Sequence, residues 1–311
     1  MSSEKCTVVV AAYNEERNIE NCLESILHQT YKNIEILIVD DGSIDKTSEI
    51  IKEYLIKYNN IKYIYQKNSG AAAARKNGFI HCQTNYITFL DADDEFSEDA
   101  IELAMKEFTK ETDAVLFQFA MSKNEENTTY TYFKFFTNKK IFTGMEAFVN
   151  CLNGWGVHGL GIFRRKNYLD SYAQYEVYNI GNENYINNDE VITKINFLNS
   201  RNIKISEGIY FCKMNMNSTT RKINHNYYKS LKNSFIVEKI CRDRKIQMSH
   251  SVLAYDVLYV NKKYLEWKNS LPNTEEWQME IRKSSKLVFL SRRLKLKKRL
   301  KFLRIYLRTF L

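Results

Sequence analysis

No run of apolar residues in this chain reaches the roughly 18 to 20 needed to span a bilayer, so any membrane contact expected of it is peripheral. There is a single proline, Pro272. The six cysteines (Cys6, Cys22, Cys82, Cys151, Cys212, Cys241) form no C-x-x-C pair, and the N-terminus does not look like a signal. This argues against a disulfide framework and a structural zinc site and favours a reducing cytoplasm. Two phosphate-binding signatures are also missing: the first strand is followed by neither G-x-x-x-x-G-K-S/T nor G-x-G-x-x-G, so phosphate recognition would have to come from a metal and side chains. Acidic residues are absent from 282–311, which holds 12 Lys or Arg; the other 281 residues carry 34 basic against 37 acidic side chains. The formal charge of +9 is therefore a property of the C-terminal segment and not of the main domain.

What is present is an ordered, aromatic-rich globular chain of 311 residues with 21 Tyr and 18 Phe, long enough for one α/β core with an appendage. The first 120 residues alternate strand and helix signals. Strands are expected at Thr7–Ala11, Ile34–Val39, Ile61–Tyr65, Tyr86–Leu90 and Ala114–Phe119. Between them fall a helix with Ile19, Cys22, Leu23, Ile26 and Leu27 on one face and Asn14 as N-cap, a helix opened by Asp45, and helices at Ala71–Cys82 and Ser97–Phe108. Such a βαβ series predicts a mostly parallel, Rossmann-like sheet flanked by helices. Ligands bind outside the carboxyl ends of such strands, a rule that puts the loops beginning at Ala12, Asp40, Gln66 and Asp91 on one rim.

Beyond Phe119 the texture changes. Thr128–Phe136 alternates aromatic and polar residues like an exposed antiparallel strand, Thr143–Glu146 fits a capping box for a helix through Leu152, and Gly154, Gly156, Gly159 and Gly161 imply close backbone approach. A helix is expected near Asp189–Asn199, a strand and polar loop over Gly208–Arg221, and helices from Asn224 onward. The domain reading is 1–221 for the α/β domain, with a nucleotide-binding half 1–120 and an acceptor half 121–221, then a helical region 222–311 ending in a basic amphipathic segment 282–311.

The chemistry concentrates where apolar strands end in carboxylates. Tyr86–Leu90 runs into Asp91, Asp93 and Asp94, and Ile34–Val39 into Asp40 and Asp41. A Mg²⁺ or Mn²⁺ ion takes hard oxygen ligands and keeps waters and substrate phosphates in its shell, so one or two carboxylates suffice. Asp-x-Asp alone is common in surface loops; its place at a strand end gives it weight. Arg75, near the start of a helix on the same rim, suits a phosphate or ribose, or is a solvated helix charge.

Five blocks taken together resemble the family 2-type nucleotide-sugar glycosyltransferases of GT-A fold, used by bacteria for capsules and exopolysaccharides. They are Val8–Glu15, Gln29–Ser43, Gly70–Gly78, Tyr86–Asp94 and Tyr210–Arg221, with Ala12 standing where proline is usual and Lys76 where asparagine is. The resemblance implies an inverting, metal-dependent transfer of a sugar from a nucleoside diphosphate sugar, UDP favoured, to a hydroxyl of a glycan or lipid-linked glycan. It implies that Ala12, Tyr13 and Glu15 line the base pocket, that Asp41 holds the base or ribose, and that Arg75 approaches the nucleotide. Asp91 and Asp93 would bracket the ribose and the metal-bound diphosphate, with Asp93 the direct ligand of Mn²⁺ or Mg²⁺ and Asp91 beside it. Asp94 would cap the next turn or face the sugar. Asp189 would be the catalytic base and Glu190 the alternative, although Asn188 stands where the family has glutamate; an ordinary helix cap is the bland reading of Asp189. Lys213 and Arg221 would clamp the diphosphate, or are simply surface cations.

Three features stay open at this level. His158 suits either an acceptor contact or packing. The tyrosines of 172–185 suit either sugar stacking or a core. The leucines and cations of 286–311 suit either an anionic membrane surface or packing on protein, including a homodimer. A nucleotidyltransferase would share the sheet and the metal but should carry a glycine-rich, arginine-bearing loop after the first strand. A nucleic-acid-binding protein would use the basic segment yet leave the acidic rim without a purpose, so no nucleic acid is expected.

Overall fold

The computed structural model describes residues 4–124, 126–152, 154–181, 186–215, 223–247, 252–291 and 294–308. The chain divides into two compact units. The first holds Met1–Cys151, Gly156–Gln174 and Ile192–Asn215; the second holds Leu152–Trp155, Tyr175–Val191 and Met216–Leu311. Asp189 and Glu190 thus group with the helical C-terminal region, whereas the sequence reading puts them in the acceptor half of the α/β domain.

Apolar, β-branched runs build the sheet of the first unit. β1 (Cys6–Ala12), β2 (Ile34–Asp40), β3 (Ile61–Tyr65) and β4 (Tyr86–Asp91) are parallel in the order β3-β2-β1-β4. Val8, Val9, Val10, Ile36, Ile38 and Leu90 have at most 0% of their surface exposed, as expected of strands covered on both faces. Helices α1 (Ile19–Leu27), α2 (Thr47–Lys57) and α3 (Ala71–His81) connect them. α3 packs closely because Gly78 leaves room: a Cβ there would lie 2.4 Å from Val9 Cγ1.

Past β4 the sheet becomes mixed. After β5 (Glu95–Phe96) and α4 (Ala100–Lys106) come β6 (Thr112–Ser122), β7 (Tyr130–Tyr132) and β8 (Ile141–Thr143). α5 (Gly144–Asn150), β9 (Gly161–Arg164), α6 (Arg165–Tyr178), α7 (Asn188–Asn199) and β10 (Asn202–Cys212) follow. β6 does not simply extend the parallel series, because β9 inserts antiparallel between β4 and β6. β10 then pairs parallel with β6 and antiparallel with β5 and β8. The expectation of a mostly parallel sheet therefore holds for β1 to β4, and the whole is a mixed α/β sheet flanked by helices.

Local readings divide in the same way. The capping box is present: Thr143 Oγ1 accepts the Glu146 N–H at 3.2 Å, and Glu146 Oε2 accepts the Thr143 N–H at 2.7 Å. Asn14 is not the N-cap of α1. It takes a left-handed backbone (φ 55°), its Oδ1 accepts the Ile44 N–H at 2.9 Å, and the helix starts at Ile19. Only Tyr130–Tyr132 of 128–136 pairs as a strand.

The second unit contains α8 (Ser230–Asp243), α9 (Val252–Trp267), α10 (Thr274–Leu290) and α11 (Leu296–Arg308). Its core gathers Trp277, Leu231, Val257, Val260, Ile281, Val288, Phe302 and Ile305, and the Trp277 indole N–H donates to the His225 carbonyl at 2.8 Å. Among the described residues no helix is long and apolar enough to cross a membrane.

Candidate active site

Register alone brings the two acidic blocks together. In the ladders Ala12 pairs with Asp40 and Ala11 with Asp91, so the carboxyl ends of β1, β2 and β4 finish at one level, as a ligand rim requires.

Asp40 and Asp41 have different tasks although adjacent. Asp40 is fully buried and accepts from the Ser43 N–H (2.8 Å), the Ser48 hydroxyl (2.5 Å) and the Tyr63 hydroxyl (2.8 Å). Burial alone would raise its pKa, but these donors prevail and hold it below the usual carboxylate value. Asp41 accepts from Gln66 Nε2 (2.8 Å) and from the N–H groups of Ser69 (2.8 Å) and Gly70 (2.7 Å). It thereby fastens the loop that leads into α3, and so fixes where Arg75 emerges. Gly42, between the blocks, has φ 79°, and a Cβ there would meet the Asn68 nitrogen at 2.9 Å, so the turn favours glycine twice over.

Arg75 reaches from α3 to Asp91, with Nη2 2.5 Å from Oδ1; the arginine side chain is 12% exposed and the aspartate 36%. Its guanidinium also lies over the Phe89 ring, 5.1 Å from the centroid. The solvated-charge reading of Arg75 is thereby set aside.

Asp93 accepts from Asn215 Nδ2 at 2.8 Å. Its pKa is raised by burial and by Asp91, against the lowering effect of Asn215. Asp94 turns inward: Oδ2 accepts from the Tyr210 hydroxyl and Oδ1 from the Lys213 N–H, both at 2.8 Å. Burial first, then the charges of Asp91 and Asp93, push it up to about 8. Glu15 is pushed up to about 7 by burial, countered by a hydrogen bond from Asn18 Nδ2 (2.6 Å) and reinforced by Asp93, Asp45 and Asp91. Carboxylates that repel one another around a strand end are a donor set of hard oxygens suited to a divalent cation, whose charge would relieve that repulsion. Among the described residues no three His, Cys, Asp or Glu side chains converge as an all-protein metal site; a Mg²⁺- or Mn²⁺-type ion completed by substrate phosphates does not need one. Asp93 and Asp91 fit that role.

The remaining predicted residues are placed as follows. Tyr13 is 42% exposed just after β1, while Ala12 is 1% exposed and shapes the rim through its backbone, its carbonyl accepting the Asp41 N–H at 2.8 Å. Lys213 Nζ is 2.9 Å from Glu95 Oε2 and lies 6.0 and 5.9 Å from the ring centroids of Tyr130 and Phe211. Arg221 lies outside the described residues. In the second unit, Asp189 and Glu190 occupy the first turn of α7, where a helix N-terminus favours negative charge. The Glu190 N–H donates to Asp189 Oδ1 (3.1 Å), and Asn187 Nδ2 donates to Glu190 Oε1 (3.0 Å). Asn188 is buried, with the Tyr175 hydroxyl 2.8 Å from its Oδ1.

His158 is a packing residue. It is 4% exposed, has Phe133 and Phe135 at 4.9 Å and Phe119 at 5.5 Å between ring centroids, and burial pushes its pKa down to about 3. Of the tyrosines of 172–185, Tyr172 and Tyr175 are core, Tyr172 packing with Tyr168 near Phe79, while Tyr178 is half-buried and Tyr185 lies outside the described residues. Tyr210 and Asn215, which hold Asp94 and Asp93, are contacts of the candidate site that the sequence does not single out.

An α/β sheet with this rim is the GT-A glycosyltransferase architecture. The crystal structure of S. aureus TarS 1-349 matches it at a TM-score of 0.65 and 18% identity, covering 98% of this chain and 90% of that one; the same fragment in complex with UDP-GlcNAc matches equally well. Residues 7–173 match the family model for Glycosyl transferase family 2, and the chain belongs to that family. Its α/β unit is therefore a family 2 glycosyltransferase domain. Glycosyltransferase GlyA of Streptococcus pneumoniae is 30% identical over 232 residues, covering 70% of this chain and 32% of that protein. Putative glycosyltransferase EpsH of Bacillus subtilis is 37% identical over 129 residues, covering 42% and 38% respectively. The matched region thus spans well under half the length of these relatives.

Proposed function

We propose that the chain is an inverting, metal-dependent glycosyltransferase that moves a sugar from a UDP-sugar to a hydroxyl of a glycan or lipid-linked glycan in cell-surface polysaccharide synthesis. The observation that carries this reading is the shared level of Ala12, Asp40 and Asp91 at the strand ends, with Arg75 paired to Asp91. UDP is favoured because TarS, which has the same fold, is described in complex with UDP-GlcNAc. A polysaccharide role is favoured by similarity to chondroitin synthase of Escherichia coli, 38% identical over 105 residues, covering 34% of this chain and 15% of that protein.

In this reading Tyr13 stacks on the base, and Asp41 orders the loop beside the nucleotide. Asp93, aided by Asp91, holds the Mn²⁺ or Mg²⁺, which when bound would neutralise charge on the leaving diphosphate. Arg75 keeps Asp91 turned toward the rim and adds positive charge next to the phosphates. Asp189 removes the acceptor proton as the new glycosidic bond forms with inversion at the anomeric carbon; Glu190 is the second choice. Lys213 and Arg221 complete the diphosphate contacts. An acceptor carried on lipid would place the reaction at the cytoplasmic face of a membrane.

The decisive variant is Asp189→Asn. Transfer to acceptor should fall by at least about a hundredfold while UDP-sugar affinity stays near that of wild type. Retained transfer, with Glu190→Gln the inactive variant instead, would move the base to Glu190, and loss of donor binding would make Asp189 structural.

A further inference from the structure

α11 has three faces where an ordinary packing helix has two. Phe302 and Ile305 enter the core of the second unit, and Leu294 joins them from the preceding turn. The leucines are spent elsewhere. Leu296, Leu300 and Leu307 are 62%, 44% and 54% exposed, with Leu303 half-buried between them. At about 100° per residue these four lie within an arc of about 60°. Beside them, toward α9, stand the exposed cations Lys297, Lys301, Arg304 and Arg308. Three of these, with Lys262, rim a groove of about 640 Å³ whose apolar lining is Leu258, Leu265 and Ile305; among the described residues Glu266 is its single acid.

We propose that this face of α11 docks on the surface of a bilayer containing anionic lipid, the leucine stripe entering the acyl boundary and the cations of the groove meeting headgroup phosphates. The charge pattern selects this occupant. A stripe of leucines bordered by cations, in a segment 282–311 that has 12 basic and no acidic residues, gains both apolar burial and attraction at such a surface. A second copy pressed on the same stripe would bring like charges together. A nucleic acid would meet the cations and leave the leucines in water. The inference goes beyond the transfer reaction and stands or falls separately from it.

The test is co-flotation of the full chain with vesicles of phosphatidylcholine alone and of phosphatidylcholine mixed with phosphatidylglycerol, at low and at raised salt. Flotation is expected with the mixed vesicles only and should fade as salt screens the cations. Leu300→Asn with Leu307→Asn, and separately Lys301→Glu with Arg304→Glu, should each reduce partitioning at least about tenfold. Both pairs are exposed, and unchanged circular dichroism and UDP-sugar binding would show that the fold is kept. Absence of wild-type flotation at low salt overturns the proposal, as does undiminished flotation of both variants. So does tighter binding to an oligonucleotide than to the mixed vesicles, or a wild-type dimer that the leucine variant dissolves.

Discussion

The Tyr210 hydroxyl donates to Asp94 Oδ2 at 2.8 Å and accepts the Asp91 N–H at 3.2 Å, so a residue of β10 fixes the turn that presents Asp91 and Asp93. Asp94 is 5% exposed, and a buried acceptor that loses its donor keeps its full desolvation cost. Tyr210→Phe should therefore destabilise the protein by about 1–3 kcal/mol in urea unfolding and weaken UDP-sugar binding. Unchanged values on both measures would remove Tyr210 from the support of the site.

Arg75 contributes position as well as charge, because it stacks over Phe89 while pairing with Asp91. Arg75→Ala should raise the UDP-sugar dissociation constant by about tenfold or more, and Arg75→Lys should restore only part of that, since an ammonium neither stacks nor forks like a guanidinium. Isothermal titration of the three proteins measures it. Full rescue by lysine would reduce the role to bare charge.

Asp40 gives stability a pH dependence of known sign. Its donors hold the folded pKa below the ordinary carboxylate value despite burial. Its contribution is therefore complete above the unfolded value of about 3.9 and is lost as pH falls through the depressed folded value. Asp40→Asn should cost more stability at pH 7 than at a pH below that depressed folded value. Chemical denaturation at both values decides, and an equal cost at both contradicts the assignment.

Gly78 is where α3 meets β1. Gly78→Val would drive atoms into Val9 and Val39, with an expected loss of about 1–3 kcal/mol and a shift of Arg75 that weakens donor binding. A urea midpoint equal to wild type would show that α3 can move aside.

Sequence makes some of this architecture plain and hides the rest for identifiable reasons. The strand ends at Asp40 and Asp91 are legible because apolar runs stop abruptly in carboxylates, and parallel pairing then puts them on one rim. Asn14 is misread because an asparagine before a helical pattern resembles an N-cap, while its side chain is taken by the Ile44 N–H of another loop. α6 escapes notice because its buried stripe consists of Tyr168, Ser171, Tyr172 and Tyr175, residues that do not read as an apolar face. The insertion of β9 pairs Tyr86 with Arg164, and Tyr210 and Asn215 reach aspartates 116 and 122 positions away. No local pattern encodes such partners. The C-terminal leucines divide: Leu294 packs, whereas Leu300 and Leu307 stay outside, a distinction that only the placement of α11 on α10 makes.

The central claim is that the rim at Asp91 and Asp93 is a metal-assisted site for a nucleotide sugar, and calorimetric titration of the full chain with UDP-GlcNAc tests it most directly. Binding should be present with Mn²⁺, fall by at least about tenfold in EDTA, and return on adding Mn²⁺ or Mg²⁺. Asp93→Ala should bind weakly and equally in all three conditions. Equal wild-type affinity in EDTA and in Mn²⁺, or an Asp93→Ala protein that keeps the full response to metal, would contradict the account.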